Sequence, residues 1–309
     1  MKTVFIGDKE RLEINAQVEK ILRGLGNPEP PLNLDTVRDL LRLDRQFYSS
    51  SDTTALQEFA SKIKIGAKQL FENPVEMWRI VQKAGLKALW LPAPRRILLD
   101  EDVPKVKHRW NESHEITHSI TEWHQAFLFG DSSIELSISC HDQLEAEANY
   151  GAGQLLFLRD RFENEAKQMS LSMRSVELLH GRFKNSYTCT LWRYVEQLGQ
   201  KLPILGLVTC HPRRIPNGHD MTAPCKYFIE SAAFRQQFES VSEVEVFRAL
   251  TRYCKNARGG TLGEEEIVLR DVNGEAHVFM FETFFNHYEA LTLARYVRKH
   301  ALTVPVAAF

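Results

Sequence analysis

The chain has 309 residues, of which 43% are hydrophobic and 26% are charged, which is typical of a globular protein with room for two domains. A net charge of -1 excludes a global positive field that would attract nucleic acid, and the apolar run in residues 1–9 is too short for a signal peptide. No apolar stretch reaches the roughly 18 residues that a membrane span needs, and the five cysteines include no C-x-x-C pair, so we expect a cytoplasmic protein without membrane contact.

The first part of the chain has helical patterning. Apolar residues at helical spacing over residues 10–30 predict a helix that ends at Gly24-Leu25-Gly26. A second helix is predicted from about residue 34 to residue 43, with Asp35 as its N-cap. The same periodicity predicts two more helices, over residues 54–72 and 75–84.

Two short apolar runs follow, over residues 86–91 and 96–100, and they predict neighbouring strands of a small sheet. The helical pattern returns from Trp110. A further helix is predicted over residues 143–163, and two more within residues 170–199.

A new pattern, beginning with a strand, starts after about residue 200. Its predicted elements are a strand over 204–209, a helix over 230–256, a hairpin of 267–272 and 276–281 around Asn273-Gly274, and a final helix over 285–300. We therefore predict an α+β fold with two domains. Residues 1–200 would form a mostly helical domain with a small sheet, and residues 201–309 a smaller α+β module of the PAS or GAF sensor type.

The motif that carries chemistry is His114-Glu115-Ile116-Thr117-His118. Two histidines at i and i+4 lie on one face of a helix, where both imidazoles can reach a single ion. Glu115 lies beside them, where it can deprotonate a zinc-bound water. This H-E-x-x-H pattern is typical of zinc peptidases, in which the glutamate is the general base.

A zinc peptidase needs a third protein ligand, and two candidates compete. His124 gives the histidine spacing of metzincins, but Thr121 stands where that motif has the glycine of its sharp turn. Glu145, on the next helix, could instead complete a set of two histidines and one glutamate.

The helix that carries Glu145 has further features that favour the second candidate. Its small residues would let it pack closely on the motif helix; they are Ala146, Ala148, Gly151, Ala152 and Gly153. Asn149 lies one turn after Glu145 and could hydrogen-bond a ligating histidine. Glu147 faces away and is interpreted as a solvated or structural residue.

Several segments together resemble the ImmA/IrrE family of metallopeptidases, over about residues 30–198. They are residues 97–100, 109–110, 114–118, 123–124, 145–149 and 151–157. The resemblance implies a zincin-like fold, Zn²⁺ held by His114, His118 and Glu145, and Glu115 as the catalytic residue. One departure is at Phe157-Leu158, because many members have a proline after the corresponding apolar run.

The resemblance also implies a substrate. Members commonly cleave a helix-turn-helix (XRE-like) transcriptional repressor, which derepresses stress, phage-defence or mobile-element genes. The alternative function is a non-proteolytic, zincin-like regulator that binds DNA or a repressor.

Two other residues near the motif are candidates for the site. Asp100 could hydrogen-bond a ligating histidine from behind, or form a turn at its strand end. The Cys140 thiolate could occupy the open zinc position and inhibit the enzyme, or the side chain could be an ordinary buried thiol.

A basic cluster marks the C-terminal module, and it includes Arg248, Arg252, Lys255 and Arg258. These residues could bind an activating single-stranded DNA or small molecule, or form a solvated helix face.

Overall fold

The computed structural model describes residues 6–48, 88–91, 95–124 and 138–300, and the helices predicted over 54–72 and 75–84 lie outside this part of the chain. The chain forms two compact units, residues 1–160 and 161–309. This division lies earlier in the chain than the predicted boundary at residue 200. The functions assigned to the two parts stay predictions.

In the described part of the first unit, helices come first and last along the chain, and three strands lie between them. They are α1 (Asp8–Gly24), α2 (Leu34–Leu41), β1 (Asp44–Tyr48), β2 (Ala88–Leu91), β3 (Arg96–Asp100), α3 (Lys105–Ile120) and α4 (Ile138–Leu156). The motif helix α3 begins earlier than its predicted start at Trp110. Helix α2 is capped by Asn33, whose side chain accepts a hydrogen bond from the backbone of Asp35, so the prediction of Asp35 as the cap was wrong.

Three described strands form a sheet in the order β1-β3-β2, with β1 parallel and β2 antiparallel to β3. The central strand β3 buries Ile97, Leu98 and Leu99, and its antiparallel pairing with β2 confirms the predicted neighbours. Strand β1 was missed because its first residues are polar. It pairs along β3, and Asp44 accepts a hydrogen bond from Arg96 at 2.6 Å.

Helices α3 and α4 pack directly on each other and carry the H-E-x-x-H motif and Glu145. Ile116 and Thr117 of α3 and Ala148 and Ala152 of α4 are fully buried. A Cβ atom on Gly151 would lie 2.3 Å from Cγ2 of Thr117. This glycine therefore permits the close approach that the small residues predicted.

The second unit contains helices on a five-stranded antiparallel sheet. Its elements are α5 (Asp160–Lys167, with Asp160 at the division), α6 (Met173–Phe183), α7 (Tyr187–Leu198), β4 (Ile204–Thr209), β5 (Cys225–Glu230), α8 (Ala232–Gln237), α9 (Glu243–Tyr253), β6 (Gly260–Arg270), β7 (Ala276–Phe285) and β8 (Ala290–Lys299). The strand order is β5-β4-β8-β7-β6. Phenylalanines 234, 238, 247, 279 and 281 fill the core between the sheet and helices α8 and α9. The predicted α+β class is thus confirmed.

Three predicted helices were wrong in extent or type. Residues 285–300 form no helix, because β8 lies between β4 and β7 and hydrogen-bonds to both. A strand buried in this way carries a continuous apolar run, which short windows do not distinguish from a helix. The predicted helix over 230–256 is split into α8 and α9, capped by Ser231 and Ser242. The helix predicted over 143–163 ends at Leu156, and α5 follows.

Within the described residues, no helix is both long and apolar enough to cross a membrane.

Candidate metal centre

Helices α3 and α4 bring His114, His118 and Glu145 together. The Nε2 atoms of the two histidines are 3.1 Å apart. The Glu145 carboxylate is 3.3 Å from Nε2 of His114 and 3.5 Å from Nε2 of His118. One donor atom from each of the three residues lies within 4.8 Å of the others, so the group could hold a metal ion.

The other nitrogen of the His114 ring faces an acceptor. Nδ1 of His114 lies 3.2 Å from Oδ1 of Asn149, and the indole Nε1 of Trp110 donates to the same oxygen at 3.4 Å. Because Oδ1 can only accept, Nδ1 of His114 donates to it, and Nε2 of the same ring is directed toward Glu145. The helix position of Asn149 predicted this contact, and its role in holding a metal ligand stays a prediction.

The charges of these groups are coupled. Burial alone would lower the pKa of His114, but its hydrogen bond to Glu145 and the charges of Glu115 and Glu145 outweigh burial and raise that pKa above its ordinary value. Burial would raise the pKa of Glu145, but hydrogen bonds from His114 and His118 outweigh it, so the pKa of Glu145 is well below its usual range. Glu145 is therefore ionised and electrostatically suited to a cation.

Glu115 is almost completely buried beside the two histidines. Burial raises the pKa of its carboxyl group, against the opposing influence of His118 and His114 and of a hydrogen bond from the backbone N–H of Trp90. Trp90 belongs to β2, so the sheet and the motif helix jointly fix this carboxylate. A carboxylate that is desolvated in this way is a stronger base than one in water.

The sequence did not predict the part that two residues play in this site. His124 is not part of the group that could hold a metal, yet its Nδ1 lies 2.8 Å from Nδ1 of His118. Glu147 is buried rather than solvated, and its Oε2 lies 2.9 Å from Nε2 of His124. The alternation Glu145-Ala146-Glu147 was the available signal, since a helix turns such residues to different neighbours.

The two remaining candidates near the motif are Asp100 and Cys140. Asp100 is buried at the end of β3, and its Oδ1 accepts a hydrogen bond from the backbone of Asp102 at 3.0 Å. In the part of the chain that the structure describes, this carboxylate closes a turn and makes no hydrogen bond to His114 or His118. The inhibitory role of Cys140 concerns a side chain outside the described residues.

The second unit contains another group of metal-ligating side chains, Asp271, Glu275 and His277, around the β6–β7 turn. Nε2 of His277 lies 3.2 Å from Oδ2 of Asp271. Lys299 binds the Glu275 carboxylate at 2.6 Å, so a cation is already present at this group. These contacts account for the cluster as a hairpin-stabilising arrangement.

A groove of about 380 Å³ separates α9 from the strand β6 in the second unit. Apolar side chains from both elements line it, together with the exposed Glu245, Arg248 and Arg252. Among the described residues neither arginine forms an ion pair. Two like charges one helical turn apart repel each other, and the two arginines outnumber the single carboxylate of the lining, so the groove favours an anion over a cation.

Comparisons with known proteins support a shared fold and not a shared function. No family model matches the chain, and no curated protein matches it. Among solved structures, the chain is similar to a Mycobacterium tuberculosis transcriptional regulator, with a TM-score of 0.51 and 13% sequence identity, over 94% of this chain and 90% of that one. At this identity the similarity extends to the fold alone.

Proposed function

We propose that this protein is a zinc-dependent endopeptidase that cleaves a helix-turn-helix transcriptional repressor. The observation that carries the proposal is the convergence of His114, His118 and Glu145 beside the buried carboxylate of Glu115. A pure binding site has no need of a base at this position.

The donor set fits zinc. Two imidazole nitrogens and one carboxylate are a common ligand set of catalytic zinc, which leaves one position open for water. Zinc bound here would lower the pKa of that water and polarise the carbonyl of the scissile peptide bond. The three ligands come from two helices in direct contact, so their separation is fixed before a metal binds.

Glu115 supplies the proton transfers. Its carboxylate accepts a proton from the attacking water and returns it to the nitrogen of the leaving amine. The burial that raises the pKa of Glu115 brings it closer to the pH at which the enzyme works, which improves both transfers. The backbone N–H of Trp90 holds the carboxylate in place.

The substrate follows from the resemblance to the ImmA/IrrE family. Cleavage of an XRE-like repressor would derepress stress, phage-defence or mobile-element genes. We propose to coexpress the chain with the helix-turn-helix protein encoded beside its gene and to analyse that protein by intact mass. A discrete pair of fragments with the wild-type chain, absent with Glu115→Gln, is expected. An uncleaved repressor under inducing stress, DNA damage included, would refute the proposal.

One observation favours an alternative from another class. The solved structure to which this chain is similar is a transcriptional regulator, and the alternative is a regulator that binds DNA or a repressor without cutting it. In that case the wild-type chain and Glu115→Gln would relieve repression equally, and the repressor would keep its full mass. The peptidase predicts a difference in both readouts.

We further propose that the second unit senses the activating signal. Its sheet has the strand order β5-β4-β8-β7-β6, and helices α8 and α9 lie between β5 and β6 along the chain. This arrangement supports a PAS- or GAF-like sensor. The groove beside Arg248 and Arg252 is suited to a single-stranded DNA or an anionic small molecule. A signal controls activity only if it binds the active and inactive states with different affinity.

A further inference from the structure

Behind the metal centre, on the side of His118 that faces away from Glu145, lies a row of buried polar groups. Nδ1 of His118 is 2.8 Å from Nδ1 of His124, and Nε2 of His124 is 2.9 Å from Oε2 of Glu147. His124 and Glu147 are only 1% and 2% exposed, so water does not compete for these contacts. Hydrogen bonds that form a continuous row between buried groups strengthen one another.

The Glu147 carboxylate is fully occupied. Its Oε2 also accepts from Nε1 of Trp123 at 2.6 Å, and its Oε1 accepts from Nε2 of Gln143 at 2.7 Å. One donor comes from the segment that carries His124 and the other from α4, and together they fix the carboxylate in one orientation. In all of these contacts the carboxylate oxygens of Glu147 are the acceptors.

The hydrogen bonds that Glu147 accepts determine which ring nitrogens of His124 and His118 carry a proton. Because Glu147 only accepts, His124 must carry a proton on Nε2. A neutral imidazole carries a single proton, and His124 uses it on Nε2 toward Glu147, so Nδ1 of His124 is left as an acceptor. The short contact between the two Nδ1 atoms then requires the proton on Nδ1 of His118.

We infer that His124 and Glu147 are positioning residues that place a proton on Nδ1 of His118, so that Nε2 is the nitrogen available to the metal. A histidine that binds a metal through Nε2 must have that nitrogen unprotonated, and a partner on its other nitrogen selects this state. Asn149 makes the equivalent contact to His114, so each ligating ring has an acceptor behind it. The inference rests on the proposed metal site but not on peptidase activity.

The first test uses the metal-free, full-length chain with ¹⁵N-labelled histidines. The ring-nitrogen chemical shifts of His118, assigned by the signals lost in His118→Asn, report which nitrogen is protonated. We expect Nδ1 of His118 to be protonated in the wild-type chain, and this preference to be lost in His124→Leu. A bare Nδ1 in the wild-type chain would overturn the inference.

The second test measures zinc affinity by competition with a chromophoric chelator. His124→Leu removes the acceptor and should weaken zinc binding by about 10–100-fold. His124→Asn places an amide oxygen where Nδ1 was, so it should retain affinity within a few-fold of wild type. Glu122→Gln is the matched control, because this exposed residue belongs to the same segment as His124, and the variant should bind zinc like the wild-type chain.

The outcomes separate the inference from the proposed function. Equal losses in His124→Leu and His124→Asn, or no loss in His124→Leu, would mean that His124 only fills space, and would overturn the inference. A wild-type chain that binds zinc and cuts nothing would overturn the peptidase and leave the positioning role intact. A wild-type chain that binds no zinc would overturn both. Thermal melts followed by circular dichroism establish that each variant is folded.

Discussion

Glu115 is deeply buried beside two histidines, so the substitution Glu115→Gln tests its proposed role as the general base. Glu115→Gln keeps the shape of the side chain but cannot take a proton from water. We expect repressor cleavage to fall by about 10²–10⁴-fold, since this is the usual contribution of a general base. Zinc content should be unchanged, because the ligands His114, His118 and Glu145 are untouched.

The matched control for this substitution is Glu122→Gln, an exposed glutamate just beyond α3. It should cleave at the wild-type rate, as measured from the initial rate of fragment formation in a purified mixture. Cleavage by Glu115→Gln at a rate equal to this control would mean that another residue is the base.

At the scale of residues, the sequence predicted what depends on spacing within one helix. The i, i+4 separation of His114 and His118 is enough to place both rings on one face. The contact between His124 and Glu147 depends instead on how the segment after α3 meets α4, which no local pattern encodes. The poor fit of Thr121 to a metzincin turn argued against His124 as a ligand, but could not predict that His124 would lie behind His118.

Among the elements, the packing of α3 on α4 determines whether the three ligands meet. Gly151→Ala would place a methyl group 2.3 Å from Cγ2 of Thr117 and 3.1 Å from Cγ2 of Ile14. Thr117 is fully buried and hydrogen-bonded to the backbone of Ser113, so it cannot easily move away. We expect a loss of about 1–3 kcal/mol in the free energy of unfolding and weaker zinc binding.

Gly153→Ala is the control for this prediction. The nearest atom to its new methyl group would be Cη2 of Trp110 at 3.9 Å, an ordinary contact. Alanine is a better helix former than glycine by about 1 kcal/mol, so this variant should be as stable as wild type or more so. Urea denaturation of both variants checks the prediction, and equal stabilities would show that α3 and α4 do not need the glycine.

Element types were predictable where local pattern and tertiary context agree. Helices α1, α2 and α3 each show an amphipathic pattern, and the Asn273-Gly274 turn lies in the predicted hairpin. β8 was predicted as a helix because alanine and leucine favour helices, while its two neighbouring strands impose extended backbone. β1 was missed because charged residues are not typical of strands. They are tolerated here because β1 lies at one edge of the described sheet.

For the whole molecule, the proposed sensor role gives a charge-specific prediction. Arg248→Ser combined with Arg252→Ser removes both positive charges from the groove of the second unit. If an anion is the signal, this double variant should lose signal-dependent cleavage while its basal cleavage is unchanged. Single-stranded DNA binding, measured by fluorescence anisotropy at several salt concentrations, would separate the nucleic acid from the small molecule.

The double variant Lys201→Ser with Arg235→Ser provides the control, because it removes two exposed positive charges of the same unit away from the groove. It should respond to the signal like the wild-type chain. A response lost equally in both double variants would indicate a general effect of net charge. A response kept in both would place the signal elsewhere.

The central claim is a single zinc ion held by His114, His118 and Glu145, and anomalous diffraction from crystals of the zinc-loaded chain tests it most directly. Data collected on both sides of the zinc absorption edge should show one strong peak, about 2.0–2.2 Å from Nε2 of each histidine and from the Glu145 carboxylate. A peak that includes His124 as a ligand, a peak only at Asp271 and His277, or the absence of a peak beside Glu145 would contradict it.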